Sequence, residues 1–353
     1  MNSLLRLLLK SQNQRNRSGS AQTEKGMTLV ELLVGSIMAF LIITPMLAFV
    51  VDMLNTDRRE QVKSNTEQDI QAAVDFIAQD LSQAIHIYDD NTTTGIPELI
   101  EEGFIPTGPD RTPILVFWKR QIIRSAIPVH DSVTEPGACP DPTAGQPKLC
   151  NDSYVLSLVA YYQVRDNVSI WCQPSGTSCP TRIERYQVKA GLENQKSLTT
   201  GQLYTSFRPD QTKDRAYNAG TPPIPPFDIT RPELNVTTGA PDFGPPDVLV
   251  NYIDHTPKQL SGTECTIALG NPTVTSGGGV PTQIEEDTLI VTDPIAINSF
   301  YACVDTARNI ARVTIRGNSL RRLQNSDVAS SSDNSAFFPT ASVQVQGRGG
   351  LGQ

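Results

Sequence analysis

The sequence predicts an α+β protein: one long N-terminal helix, its first half transmembrane and its second half amphipathic, packed on an antiparallel β-sheet head with disulfide-stapled loops. Three observations predict it. Met27 to Val51 carries no charge except Glu31. Residues 52 to 88 place apolar side chains at the spacing of one helix face. Beyond Gly95, short alternating runs are separated by stretches rich in Pro and Gly, and all six cysteines lie there.

Residues 1 to 26 read as a leader. Leu4 to Leu9 is apolar but too short to cross a bilayer. Arg6, Lys10, Arg15, Arg17 and Lys25 against Glu24 give the leader +4, so the whole-chain net charge of −8 becomes −12 from Met27 onward. Basic flanks stay on the cytoplasmic side of membranes. The expectation is a single-pass inner (plasma) membrane protein with its N-terminus cytoplasmic and its head periplasmic or extracellular.

Residues 27 to 51 read as the transmembrane helix, long enough at about 1.5 Å per residue to span the roughly 30 Å hydrocarbon core. Glu31 lies inside it. A carboxylate there costs on the order of 2.5 to 3.5 kcal/mol, so it calls for a partner, and the natural partner is an amine. A chain cut between Gly26 and Met27 would carry its new α-amino group one helical turn before Glu31, within reach in cis or from a neighbouring subunit. A secretory signal peptide has a shorter apolar region without a central acid. An ordinary anchor fits the length and leaves Glu31 unexplained. Pro45 removes one backbone hydrogen bond, so a kink or local melting is expected there.

Residues 52 to 88 read as the amphipathic half of the same helix. Val62, Ile70, Ala73, Val74, Ile77, Leu81, Ala84, Ile85 and Tyr88 define the apolar face, with Asp69, Asp75, Gln79 and Asp80 on the other side. Asp89 to Gly95 supplies turn-formers that end it.

Residues 89 to 353 read as the globular β-rich head. Strands are expected at Pro113–Lys119, Tyr154–Val164, Ile183–Ala190, Asp247–Asp254, Thr288–Thr292 and Arg308–Arg316, with a final edge strand over Ala341–Val345. The Pro-rich segment 191–246 reads as an extended surface loop. Arg321 and Arg322 read as a solvated strand end.

Six cysteines in an oxidising compartment imply disulfides. Proximity favours Cys139 with Cys150 and Cys172 with Cys179, which leaves Cys265 for Cys303. Neither close pair has the spacing of a zinc finger, and His86, His130 and His255 lie near no cysteine. No cofactor is expected. Clusters such as Glu285-Glu286-Asp287 and Asp89-Asp90 could bind calcium, but neither follows an EF-hand pattern, and solvated acidic turns are the better reading. No phosphate-binding loop, nucleophile elbow or zinc-protease pair occurs, so no enzyme activity is expected. The acidic balance lacks the basic stripe that nucleic-acid binding requires.

A basic leader ending in Gly26, a hydrophobic residue at Met27, Glu31 at the fifth position after the cut and an unbroken apolar helix together resemble the N-terminus of type IV pilins and pseudopilins. The resemblance implies a pilin-like fold, cleavage after Gly26 by a prepilin peptidase, N-methylation of Met27, and a role for Glu31 in aligning subunits during assembly. It implies as partners the membrane, the peptidase, other major and minor subunits, and an inner-membrane assembly platform. Met27 in place of the commoner Phe points to a minor subunit, and the large head resembles the J-type or PilW-type. Phe337 to Val343 and Asp247 to Val250 also resemble the pseudopilins of cyanobacterial hormogonium polysaccharide secretion. The implied function is a structural subunit that initiates or tips a type IV pilus or a type II secretion-like filament, supporting secretion or motility. The alternative is a membrane-tethered extracytoplasmic binding protein that forms no filament.

Overall fold

The computed structural model describes residues 28–92, 94–101, 105–128, 150–168, 170–174, 179–189, 246–256, 262–275, 280–291 and 299–348. Gly26, Met27, Cys139 and the segment 191–245 lie outside the described residues, so the cleavage site, the Cys139–Cys150 pairing and the Pro-rich loop do too. The chain divides into two compact units, one ending at Asp57 and the other beginning at Arg58.

Helix α1 (Leu29–Leu81) belongs to both. From Leu29 to Val51 it is apolar on every side apart from Glu31, and its apolar side chains are exposed on every face, from Leu29 at 85% to Val51 at 56%. A helix with no polar face has no use for a single packed partner and suits a uniformly apolar surrounding. Leu29 to Val51 extends about 34 Å at 1.5 Å per residue, so this part of α1 is long and apolar enough to cross a membrane. The local melting expected at Pro45 does not occur. The chain stays helical from Leu29 to Leu81, and the Thr44 hydroxyl donates to the Phe40 carbonyl at 2.8 Å in the same turn.

In the second unit α1 buries Thr66, Ile70, Ala73, Val74, Ile77, Asp80 and Leu81, a stripe at intervals of three and four. Two corrections to the sequence reading fall here. Asp80 lies on the buried face, only 6% exposed, and not with the solvated residues. The helix also stops at Leu81, short of Tyr88. Ser82 and Gln83 form a turn, and β1 (Ala84–Ile87) follows, pairing Ala84 with Lys119, His86 with Trp118 and Ile87 with Phe117. The same apolar residues satisfy a strand, and sheet pairing takes the β-branched Ile85 and Ile87 from the helix.

The head holds two larger sheets where the sequence suggested one. β1, β2 (Arg111–Pro128), β3 (Cys150–Val164), β4 (Thr181–Lys189) and β5 (Asp247–Ile253) make an antiparallel meander in chain order, with α2 (Ile96–Glu101) between β1 and β2. Ile114 to Trp118 is buried at every position, so both faces of β2 are covered. After β5 come α3 (Glu264–Ala268), a small ribbon of β6 (Thr273–Val274) and β7 (Thr282–Gln283), and α4 (Glu286–Leu289). Of the strand expected at Thr288–Thr292, Thr292 lies outside the described residues and Thr288 belongs to α4, where the acidic Glu286 and Asp287 open a helical turn, so the described strand is β8 (Ile290–Val291). β8, β9 (Phe300–Asp305), β10 (Ile310–Arg316) and β11 (Thr340–Gln346) form the second sheet, in the order β11-β10-β9-β8.

The two sheets and the buried stripe of α1 share one apolar core. β10 closes it by reaching both edges of the five-stranded sheet. At its start, the Asn309 amide donates to the Ala84 carbonyl of β1 at 3.2 Å. At its end, Gly317 bridges Ile253, and the Asn318 amide donates to the Tyr252 carbonyl at 2.8 Å. A smaller cluster of Cys265, Leu269, Leu289 and Cys303 lies under α3 and α4.

Gly317 sets how near the helix comes to this closure. A Cβ there would overlap Ile70 Cδ1 and stand 2.8 Å from Thr66 Cγ2. Both partners belong to the buried stripe, so neither retreats without disturbing the core. Gly317→Ala is expected to destabilise the head by roughly 1 to 3 kcal/mol through overpacking, read as a lowered denaturation midpoint of the full chain in detergent.

Candidate functional site

Two features concentrate the chemistry of the described residues: the start of α1 around Glu31, and a buried charged cluster that fixes the helix in the head. Each has a local cause in the sequence.

Thr28 precedes the first turn of α1, and its hydroxyl accepts the Glu31 backbone N–H at 3.3 Å. Thr28-Leu29-Val30-Glu31 has the spacing of a capping box, with a Thr at the N-cap and a Glu three residues on. That motif was legible in the sequence and was overlooked. The carboxylate also sits at the positive end of the helix dipole, which favours its charge. Glu31 is the single acid between Thr28 and Val51, and it is exposed.

In the head, Asp80 accepts three bonds. Lys119 of β2 donates to Oδ1 at 2.7 Å, while Tyr161 of β3 and Arg185 of β4 donate to Oδ2 at 2.7 Å each. One helical carboxylate thus gathers the three central strands. Burial alone would raise the Asp80 pKa, but the hydrogen bonds and charges of Arg185 and Lys119 hold it below the ordinary carboxylate range. Lys119 is lowered, because burial and the like charge of Arg185 outweigh its bond to Asp80. Burial also pushes the Tyr161 phenol well up, so it serves as a proton donor throughout the neutral range. The Arg185 guanidinium stacks between Phe76 and Tyr161, 5.7 and 5.9 Å from their ring centres.

A second buried cluster orders the β3–β4 end. Arg182 grips Asp166 with two bonds of 2.7 and 2.6 Å and donates Nε to Glu184 at 2.7 Å. Arg111 donates to the Tyr186 hydroxyl at 2.6 Å, and burial pushes that phenol up to about 12. Trp118 donates its indole N–H to Tyr88 at 2.8 Å. These groups are paired with one another inside the head.

Disulfides join Cys172 to Cys179, the pair that proximity favours, and Cys265 to Cys303, the pair that was left over. Arg321 holds the first loop by donating to the Pro174 carbonyl at 3.0 Å. Arg321 is 1% exposed, which corrects the reading of a solvated strand end. Its neighbour Arg322 pairs with Asp69 of α1 and stacks 4.5 Å over the Tyr252 ring. The acidic turns are also more engaged than expected. The Glu286 carboxylate accepts the backbone N–H groups of Cys265 and Thr266 at 2.6 and 2.8 Å, and Asp89 accepts Asn91 N–H at 3.1 Å. Among the described residues, no group of three His, Cys, Asp or Glu side chains is placed to hold a metal ion.

Removing the Asp80 carboxylate leaves two buried cations without their anion. Asp80→Ala is expected to cost about 3 to 5 kcal/mol of head stability, measured by urea unfolding. Because the folded carboxyl titrates below its unfolded value, its contribution is complete above about pH 4 and is lost as the pH falls through the lower, folded pKa. Asp80→Asn is therefore expected to flatten the acid limb of the stability profile while lowering its neutral plateau. No family model, curated protein or solved structure matches this chain.

Proposed function

We propose that the protein is a minor subunit of a type IV pilin-like or pseudopilin filament, processed after Gly26 and assembled through α1. One observation carries the reading. From Leu29 to Val51 the helix holds one carboxylate, Glu31 in its first turn, and is otherwise apolar and exposed on all sides, and from Thr66 onward it is part of the core of a disulfide-bearing head. A helix of this kind serves as a membrane segment before assembly and as the packed centre of a fibre afterwards.

The sequence of events has four steps. The chain inserts with its basic leader in the cytoplasm. A prepilin peptidase removes the leader after Gly26, and Met27 is methylated at its new amine. Glu31 then neutralises the N-terminal amine of a neighbouring subunit in an environment without water, where an unpaired charge is costly. Apolar helix packing holds the short filament or its tip, and the head faces the periplasm or the exterior. In this reading the protein is structural and non-catalytic, with the peptidase, the assembly platform and the other pilin-like subunits as its partners.

The capping geometry at Thr28 favours a second reading, in which Glu31 only starts the helix of a plain membrane tether for the head. Gln substitutes for Glu in a capping box but carries no charge. Glu31→Gln is therefore expected to leave processing intact and to abolish filament incorporation, scored by recovery of the subunit in sheared filaments. Incorporation at the wild-type level would leave the cap as the role of Glu31. Mass spectrometry of the N-terminal peptide from membrane extracts is expected to find N-methylated Met27, and a chain that retains its leader would favour the tether.

A further inference from the structure

The edges of the five-stranded sheet are tied to the ends of β10, and β8 at one edge of the second sheet is two residues long. The other edge of the second sheet is β11, Thr340-Ala341-Ser342-Val343-Gln344-Val345-Gln346, which pairs with β10 in a single uninterrupted register. Exposed sheet edges are ordinarily blunted by charge, Pro, a bulge or short length. β11 has none of these within its seven residues.

The register shows which groups are open. The Gly347 amide donates to the Asn309 carbonyl at 2.8 Å, and the Gly317 amide donates to the Pro339 carbonyl at 2.9 Å. These two bonds place the hydrogen-bonded pairs with β10 at the odd-numbered residues of β11, since such pairs alternate along an antiparallel ladder. Thr340, Ser342, Gln344 and Gln346 therefore turn their backbone N–H and C=O groups away from β10. No described residue takes them, and all four side chains are exposed.

We propose that β11 is a strand-addition surface whose occupant is β11 of a second copy of this chain, paired antiparallel about Val343. The order of polar and apolar residues reads the same in both directions from Val343. Self-pairing sets Ser342 opposite Gln344, Thr340 opposite Gln346, and Val345 opposite Ala341. All four outward-facing residues fall in hydrogen-bonded pairs, which gives about eight new backbone hydrogen bonds and joins two four-stranded sheets into one. Because the strand is uncharged, no like charges meet, the usual obstacle to pairing a strand with itself. Just beyond it, Arg348 of one copy falls opposite Phe338 of the other. Met27 and Glu31 play no part, so the inference stands apart from the filament reading.

The test uses the full chain in detergent with Ser342→Lys and Gln344→Lys combined, and separately with Ser342→Glu and Gln344→Glu combined. Both side chains of each variant are exposed, so the fold is retained, as far-UV circular dichroism would check. Each variant alone is expected to self-associate about tenfold or more weakly than wild type by sedimentation equilibrium, and an equal mixture of the two is expected to recover association. Hydrogen exchange is expected to protect the amides of Thr340, Ser342, Gln344 and Gln346 in the wild type at micromolar concentration and to release them on dilution. Fast exchange of these amides at every concentration would overturn the proposal, as would lysine variants that associate like wild type. Protection that appears only when another protein is added would assign the edge to a foreign strand and likewise overturn it.

Discussion

The architecture of the head depends on the carboxylate of Asp80. A helix laid on a sheet by apolar contacts alone can slide or rotate, because such contacts are non-directional. Three directed bonds from three adjacent strands remove that freedom. Lys119, Tyr161 and Arg185 meet Asp80 at only one rotation and one axial position of α1. Burying two cations and one anion is costly in itself, and apolar replacements of similar volume are often as stable. What the cluster adds is a single seating of the helix, and Arg322 with Asp69 repeats the device nearer the start of the buried stripe.

That seating explains how the two roles of α1 coexist. The exposed apolar turns before Asp57 ask for a uniform, non-specific surrounding, and the turns from Thr66 to Leu81 ask for one defined partner. The chain meets both demands with ordinary helical sequence, changing only what lies between the intervals of three and four. Polar residues enter the back of the helix after Val51, and the apolar stripe then becomes narrow enough to be read as a face.

The long helix, the β-rich head and the Cys172–Cys179 pair were legible in the sequence, since each rests on local periodicity or short separation, while Cys265 and Cys303, 38 residues apart, were matched only as the two left over. The misreadings share a cause. Asp80 is three residues after Ile77 and seven after Ala73, so its position belongs to the buried face, but its charge argued for solvent. Its partners lie far along the chain and could not be assigned. Ala84, Ile85 and Tyr88 fit helix and strand periods alike over so short a run, and the decision rests with β2, which pairs with Ala84, His86 and Ile87 and accepts the Tyr88 N–H at the Val116 carbonyl. Arg321 was read from its type, while its burial comes from the Pro174 loop that it holds. At the candidate site the lone acid in an apolar helix stood out at once. The Thr28 cap was equally local and was obscured by the stronger membrane signal.

The small cluster under α3 and α4 has a core made largely of its own crosslink: Cys265 and Cys303, with Leu269 and Leu289. It shares β9 with the main sheet but none of the main core's buried residues. Besides the disulfide, it is attached through the β8–β9 pairing and the bond that Arg308 donates to the Leu269 carbonyl at 2.6 Å. The β6–β7 ribbon is exposed at all four of its residues and supplies nothing to either buried cluster, so substitutions there are borne locally.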